Sequence, residues 1–377
     1  MNRSSIIRGR PAREKLSIIE FYRRQIVSGQ LAPGSRLPSR AMLEVQHKIS
    51  LPTVQRAMAQ LEAAGWIESR GRHGTFVARR LPHQSRYALV LPFRPGDVPN
   101  FSLFYQALIA AATVWERQSE CEFEIVHADR AVLGVADENR LLDEVRTHRL
   151  AGLIFVGYPA QLQATRLFKE PKLYLTAITY TGEYLGVPAT SMSSRSWFAA
   201  ALDCAVAAGR LRVASLSIWP KSSVLTHAFR SALVARGLEP RTYWQQHADP
   251  QSAEWAAELA QVLLALPAGD RPDALLITDD NFVEPVTAGL RAAGIRVPAD
   301  LLVIAHFNHP VRPKARVPVR WLGYDCIALL RRGRSVIDAQ RRGDSVGTQT
   351  VMPAVWDTDL KPAARTRTQP RTQLAPA

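Results

Sequence analysis

Side chains suited to gripping a nucleic acid are gathered in one short stretch. Between positions 40 and 73 stand Arg40, Ser50, Thr53, Gln55, Arg56, Arg70, Arg72 and His73. Guanidinium, imidazole and hydroxyl groups bind phosphate oxygens, and a glutamine amide can pair with N6 and N7 of adenine in a major groove. The charge balance agrees. Residues 1–86 hold sixteen Lys and Arg against five Glu and no Asp, which is +11 of the +15 carried by all 377 residues. Residues 357–377 add a net +2, so the long middle is nearly neutral. A basic excess confined to one end marks a polyanionic partner, where a merely solubilising excess would be spread evenly.

The elements that must present these groups can be read from turn chemistry. Pro38 and Ser39 precede a short helix containing Ala41, Met42 and Leu43. Ser50 suits an N-cap, with Pro52 in the first turn, where a missing N–H costs nothing. Val54, Ala57, Met58 and Leu61 form one apolar stripe on the next helix. Gly65 stops it, where a left-handed residue is wanted. Trp66–Glu68 and Thr75–Val77 then read as two short strands around a cationic, glycine-rich tip, Ser69 to Gly74. An earlier helix starts near Ala12 and ends at Gly29. Helix, turn, helix and basic hairpin make a winged helix-turn-helix over 12–79, one helix shaped for a major groove and a wing for the backbone.

The runs SGQLAPGSRLPS, SLPTVQRAMAQLEAAGWIE and RGRHGTFVA, in that order, resemble the GntR family of bacterial transcription regulators. The resemblance implies the winged fold and double-stranded operator DNA as partner. It departs where DNA contacts are expected: Arg40-Ala41 stands for the usual Glu-Arg after LPS. Ser50-Leu51-Pro52-Thr53-Val54-Gln55, with Arg56 next, stands for Ser-Arg-x-Thr-Val-Arg. The operator sequence therefore does not carry over.

From Tyr87 the texture changes to α/β. Apolar runs at Tyr87–Pro92, Phe123–His127, Leu153–Val156, Leu173–Ala177, Val213–Ile218, Ala274–Thr278 and Leu301–Ala305 predict strands. Helical stretches lie between them near 101–118, 136–148, 160–169, 195–208, 223–236, 252–266, 281–293 and 323–341. This alternation predicts parallel sheets covered by helices, in two lobes over 87–357. Residues 1–11 are expected to be a disordered basic arm, 80–86 a linker and 358–377 a flexible tail. Ligands of such sheets sit outside the strands' carboxyl ends. That rule nominates Phe101, Ser102, Tyr105, Tyr180, Trp219, Asp280 and Asn308, a set of aromatic faces and hydrogen-bonding groups suited to carbohydrate.

Phe229-Arg230-Ser231-Ala232-Leu233, then Gly237, then DALLITDDNFVEPVTAGLRAAGIRVPADLLVIAHFN, are similar to the effector domain of LacI/GalR-type repressors, which shares the fold of periplasmic sugar-binding proteins. The resemblance implies a first lobe of roughly 87–190 plus 310–345 and a second of 191–307 plus 346–357, with the effector in the cleft. It also matches Asp280 to an effector-binding aspartate, although either Asp279 or Asp280 could instead cap the following helix. The arginine often found three residues before that family's Gly-Phe would fall at Leu225.

Catalytic readings have little support: the sequence has no GxSxG, GxxxxGK[ST] or HExxH. His306 and His309 read as a solvated turn, and Lys169, Lys172, Lys221 and Lys314 sit in no cofactor motif. No cofactor or metal is expected. Cys121, Cys204 and Cys326 lack CxxC spacing and suit free thiols in a reducing compartment. With no apolar span long enough for a bilayer, the expectation is a cytoplasmic, homodimeric, effector-controlled repressor. The alternatives are control by a partner protein, or a sugar-binding protein with an incidental basic N-terminus.

Overall fold

The computed structural model describes residues 10–93, 102–118, 121–128, 133–157, 165–171, 173–179, 186–218, 223–249 and 253–360. Of the arm expected over 1–11, residues 1–9 lie outside them, while Arg10 and Pro11 already belong to the first helix. Of the tail expected over 358–377, residues from 361 lie outside them and Asp357–Asp359 form a 3-10 turn.

Helices α1 (Arg10–Val27), α2 (Arg40–His47) and α3 (Leu51–Ala63) are followed by the hairpin β1 (Ile67–Ser69) and β2 (Thr75–Val77). Ile18, Tyr22 and Ile26 of α1 bury against Leu43, Val54, Ala57, Met58, Leu61 and Trp66. Ser39 Oγ accepts the Met42 N–H at 3.3 Å and starts α2, and Lys48, at φ 53°, closes it. The first N–H of α3 is satisfied across the turn, where Leu51 N donates to Glu44 Oε1 at 2.9 Å. That bond fixes the angle between the two helices. Ser50 holds the N-cap position, but its hydroxyl bonds Thr53 Oγ1 at 2.9 Å and caps no backbone N–H. At the far end Gly65 N donates to Glu62 O and Trp66 N to Leu61 O, both at 2.9 Å. Gly65 itself is at φ 75°, which completes a Schellman motif.

The segment 80–86, expected to be a linker, is packed. It forms a short helix, α4 (Pro82–Ser85), whose flanking Leu81 belongs to the winged-domain core. The chain runs directly into β3 (Arg86–Leu91). Then follow α5 (Leu103–Gln118), β4 (Glu122–His127), α6 (Val135–Arg146), β5 (Gly152–Val156), β6 (Leu175–Thr179), β7 (Ala189–Met192), α7 (Ser194–Ala207) and β8 (Val213–Ser217). The remainder is α8 (Val224–Val234), β9 (Gln245–His247), α9 (Ala253–Leu264), β10 (Ala274–Ile277), α10 (Val283–Ala292), β11 (Leu302–His309), β12 (Arg320–Asp325), α11 (Cys326–Arg342), β13 (Gln349–Met352) and β14 (Val355–Trp356).

Among the described residues two six-stranded sheets form, ordered β13-β7-β6-β5-β3-β4 and β14-β12-β11-β10-β8-β9. The inner pairs are parallel and β14 runs antiparallel to β12. The chain divides into two compact units. One takes the described residues up to 94 with 115–190 and 332–350; the other takes those of 95–114, 191–331 and from 351. The winged helix thus belongs to the same unit as the first sheet.

Three sequence expectations change here. Residues 323–325, expected to open a helix near 323–341 in the first lobe, instead end strand β12 of the second sheet. Trp321, Leu322, Gly323 and Tyr324 are buried on both faces, so no period distinguishes strand from helix. Strand β11 also runs four residues further than expected, which buries His306 in the sheet. The predicted turn of solvated histidines is absent at that position. Of the helix expected over 160–169, residues 160–164 lie outside the described residues and 165–169 form a turn.

Gly323 shows how closely β12 approaches β11, since a Cβ there would lie 1.7 Å from the Phe307 carbonyl oxygen. Gly323→Ala should destabilise the second unit by about 3 kcal/mol or more, as overpacking does. Urea unfolding followed by tryptophan fluorescence measures this, and a change under 1 kcal/mol would show that the strands yield easily.

Candidate functional site

Gln55 and Arg56 are exposed on α3, on the face opposite Val54, Ala57 and Met58. Arg56 Nε donates to the Pro52 carbonyl at 3.3 Å. Arg40 is exposed at the first position of α2 and Ser50 just before α3. Thr53 differs: it is buried and bonded to Ser50, which gives it a part in closing the helix end and withdraws it from the surface. In the wing, Arg70 pairs with Glu68 and lies 4.5 Å over the Phe76 ring. Arg72 and His73 sit exposed on a 3-10 turn, their side chains without hydrogen-bond or ion-pair partners among the described residues. One basic group escaped the sequence reading. Arg36 bridges to Phe76 beside the hairpin, and a Cβ on Gly74 would come within 3.1 Å of its Nε. The signal available was its place before Leu37-Pro38-Ser39.

A second polar constellation lies at the carboxyl ends of β10 and β11. Asp279 caps the turn into α10, accepting from Asn281 N at 2.9 Å and from Asn281 Nδ2 at 2.8 Å. Asp280 keeps a weaker contact at this turn, its Oδ1 accepting from Asn281 Nδ2 at 3.4 Å. Its Oδ2 accepts from Asn308 Nδ2 at 2.8 Å, and both residues are buried. Burial, and then the neighbouring Asp279, push the Asp280 carboxyl up to about 8. Asn308 Oδ1 is buried with no partner among the described residues. Asn281 Oδ1 accepts the Leu103 N–H at 3.2 Å, tying the start of α5, with Ser102 and Tyr105, to this turn. Burial raises the Tyr105 phenol to about 12. Of the other nominated residues, Phe101, Tyr180 and Trp219 lie outside the described residues.

Beneath this pair the packing is neutral. The His306 ring lies 6.1 Å from that of Trp197 and 5.6 Å from that of Tyr324, and burial pushes its imidazole down to about 4. Trp197 Nε1 donates to Leu322 O at 2.8 Å. Leu225 stands, buried, where the resembling family often has arginine. Nearby, Gln245 Nε2 has no partner although Gln245 is buried. Among the described residues no group of three or more His, Cys, Asp and Glu is placed to hold a metal. No helix among them is long and apolar enough to cross a membrane.

A winged helix joined to a body of two parallel-sheet lobes combines a DNA-binding fold with a binding-protein-like fold, and the comparisons agree. Residues 16–77 match the bacterial regulatory proteins of the gntR family, and 214–349 match the periplasmic binding protein-like domain. The chain is a DNA-binding transcription regulator that carries these two domains. It is 22% identical over 304 residues to the arabinose metabolism transcriptional repressor of Geobacillus stearothermophilus, covering 74% of this chain and 78% of that one. An HTH-type transcriptional regulator of Mycobacterium tuberculosis is 43% identical over 61 residues, 16% of this chain and half of that one. A sucrose-bound LacI family regulator from Lactobacillus casei shares the fold, with a TM-score of 0.53 at 18% identity, covering 74% of this chain and all of that one. So does the CelR–cellobiose complex, with a TM-score of 0.53 at 17% identity over 85% of this chain and 98% of that one.

Three outcomes follow from this geometry. Arg72→Ala should weaken binding to all DNA sequences alike and lower the salt slope by about one, as loss of one phosphate contact does. Gln55→Ala should instead relax base preference; anisotropy titrations over a salt series tell them apart, and the reverse pattern would exchange their roles. For Asp280, a folded pKa above the unfolded one means stability that is full below the unfolded pKa and is lost as pH rises towards about 8. Asp280→Asn should therefore flatten the decline in stability between roughly pH 4 and 8. Melting curves across that range that run parallel for both proteins would contradict the assignment.

Proposed function

We propose that the protein is a repressor that binds its operator as a homodimer and leaves it when a sugar binds at the strand ends of the second unit. In this reading residues 12–79 read DNA and 87–357 form the ligand-responsive body. Arg40, Gln55, Arg56, Arg72 and His73 meet the duplex, with Arg70 and Ser50 supporting them. Asp280, Asn308, Ser102 and Tyr105 meet the ligand. The observation that carries the ligand reading is the buried, unpartnered Oδ1 of Asn308 beside the Asp280 carboxyl. An orphan buried acceptor is costly unless something donates to it, and a ligand hydroxyl at the carboxyl end of β11 does so.

The long match to an arabinose repressor supports a pentose, and fold neighbours holding sucrose and cellobiose support a sugar in general. Ligand acts by binding one state of the protein better than the other, so its effect on DNA is limited by that difference.

The test is release from DNA taken from upstream of the protein's own gene. L-arabinose, other pentoses and hexoses are titrated into the complex and anisotropy is followed. One sugar should release the wild type. Asp280→Asn should bind DNA as tightly yet need at least about fivefold more of that sugar, since a lost buried hydrogen bond costs about 1–3 kcal/mol. Superimposable release curves for the two proteins would remove Asp280 from the site, and the absence of release by any sugar would overturn the carbohydrate reading.

A further inference from the structure

The connector between the winged helix and the first lobe is built as a joint. Leu81 and Pro82 are buried, Pro82 Cγ reaches within 3.5 Å of where a Gly65 Cβ would stand, and the His83 ring stacks on Trp66 at 5.4 Å and 19°. From the body, Arg341 near the end of α11 donates through Nη1 to the His83 carbonyl at 2.6 Å. Its Nη2 lies 3.5 Å from Asp338 Oδ1, and that oxygen is 2.9 Å from the Tyr87 hydroxyl at the start of the first sheet. A second contact lies apart from this one. Arg23 of α1 is only 8% exposed, pairs with Glu20, and donates through Nη1 to the Thr147 carbonyl, 3.1 Å away in the turn after α6. Two bonded points on one small domain leave it no free rotation, whereas a polar tether of the same length would leave it many orientations.

We propose that Arg341 is a positioning residue for operator recognition: its grip on the His83 carbonyl holds the winged helix in one orientation on the first lobe. The proposal rests on the DNA-binding reading and on a dimer facing two half-sites. Arg341 touches no DNA in this scheme; it acts through the connector. Its consequence is selectivity for spacing, because two rigidly mounted domains match half-sites only at one separation and helical phase.

The test uses full-length protein and duplexes made from the two footprinted half-sites, spaced natively or with 5 or 10 added base pairs, together with a single half-site. The wild type should lose at least tenfold in affinity at 5 added base pairs. Arg341→Ala should bind the single half-site within about twofold of wild type, yet vary less than threefold across the spacings, and Arg341→Lys, which still donates to the carbonyl, should regain most of the preference. Arg341→Gln serves as a second loosened variant should the alanine form melt early. Unchanged spacing preference in both loosened variants overturns the proposal. So does an equal loss on the single half-site and every spacing, which marks a merely structural role. A wild type indifferent to spacing overturns the proposal together with the dimer, while the sugar titrations still judge the ligand reading alone.

Discussion

A carboxyl taken out of water at the end of a parallel sheet needs a partner, and Asp280 has an amide instead of a cation. Desolvation raises its proton affinity, the Asn308 amide donates to one oxygen, and the cost passes to Asn308, whose own acceptor is left bare. The rest of the second unit is arranged around that pair. Asp279 takes over the helix cap so that Asp280 can turn inward. Asn281 bonds the start of α5. His306, Trp197 and Tyr324 supply a neutral floor below. Such a set exchanges hydrogen bonds with hydroxyls more readily than it neutralises an anion, and Leu225, in place of the resembling family's arginine, points the same way.

The winged domain was legible because its signals are local. Gly65, Pro52 and the glycines of the hairpin each demand one backbone geometry, and the apolar stripe of α3 has a clear helical period. What stayed hidden depends on contacts between residues far apart in sequence or on burial. Nothing in the sequence says that Glu44 caps the next helix, or that the Thr53 hydroxyl turns inward to Ser50. Residues 80–86 read as a linker from their proline and charges, yet Leu81 completes the core of the preceding domain. Strand β12 escaped because a segment buried on both faces has no alternation to read. The candidate ligand site was legible to the level of the Asp279-Asp280 pair. Which of the two caps and which turns inward is decided by Asn308, 28 residues on.

These parts join two kinds of recognition in one chain. The winged helix belongs to the first sheet's unit, and the buried polar pair lies in the other. The proposed function requires a coupling between them, which as a free energy is reciprocal: a ligand that lowers DNA affinity by some factor is itself bound more weakly, by the same factor, when DNA is present. The direct test is to measure the affinity of the releasing sugar by calorimetry, for free protein and for protein saturated with operator. The two affinities should differ by the factor by which that sugar weakens operator binding, typically about 5- to 150-fold. Equal sugar affinity with and without DNA would contradict regulation through this site.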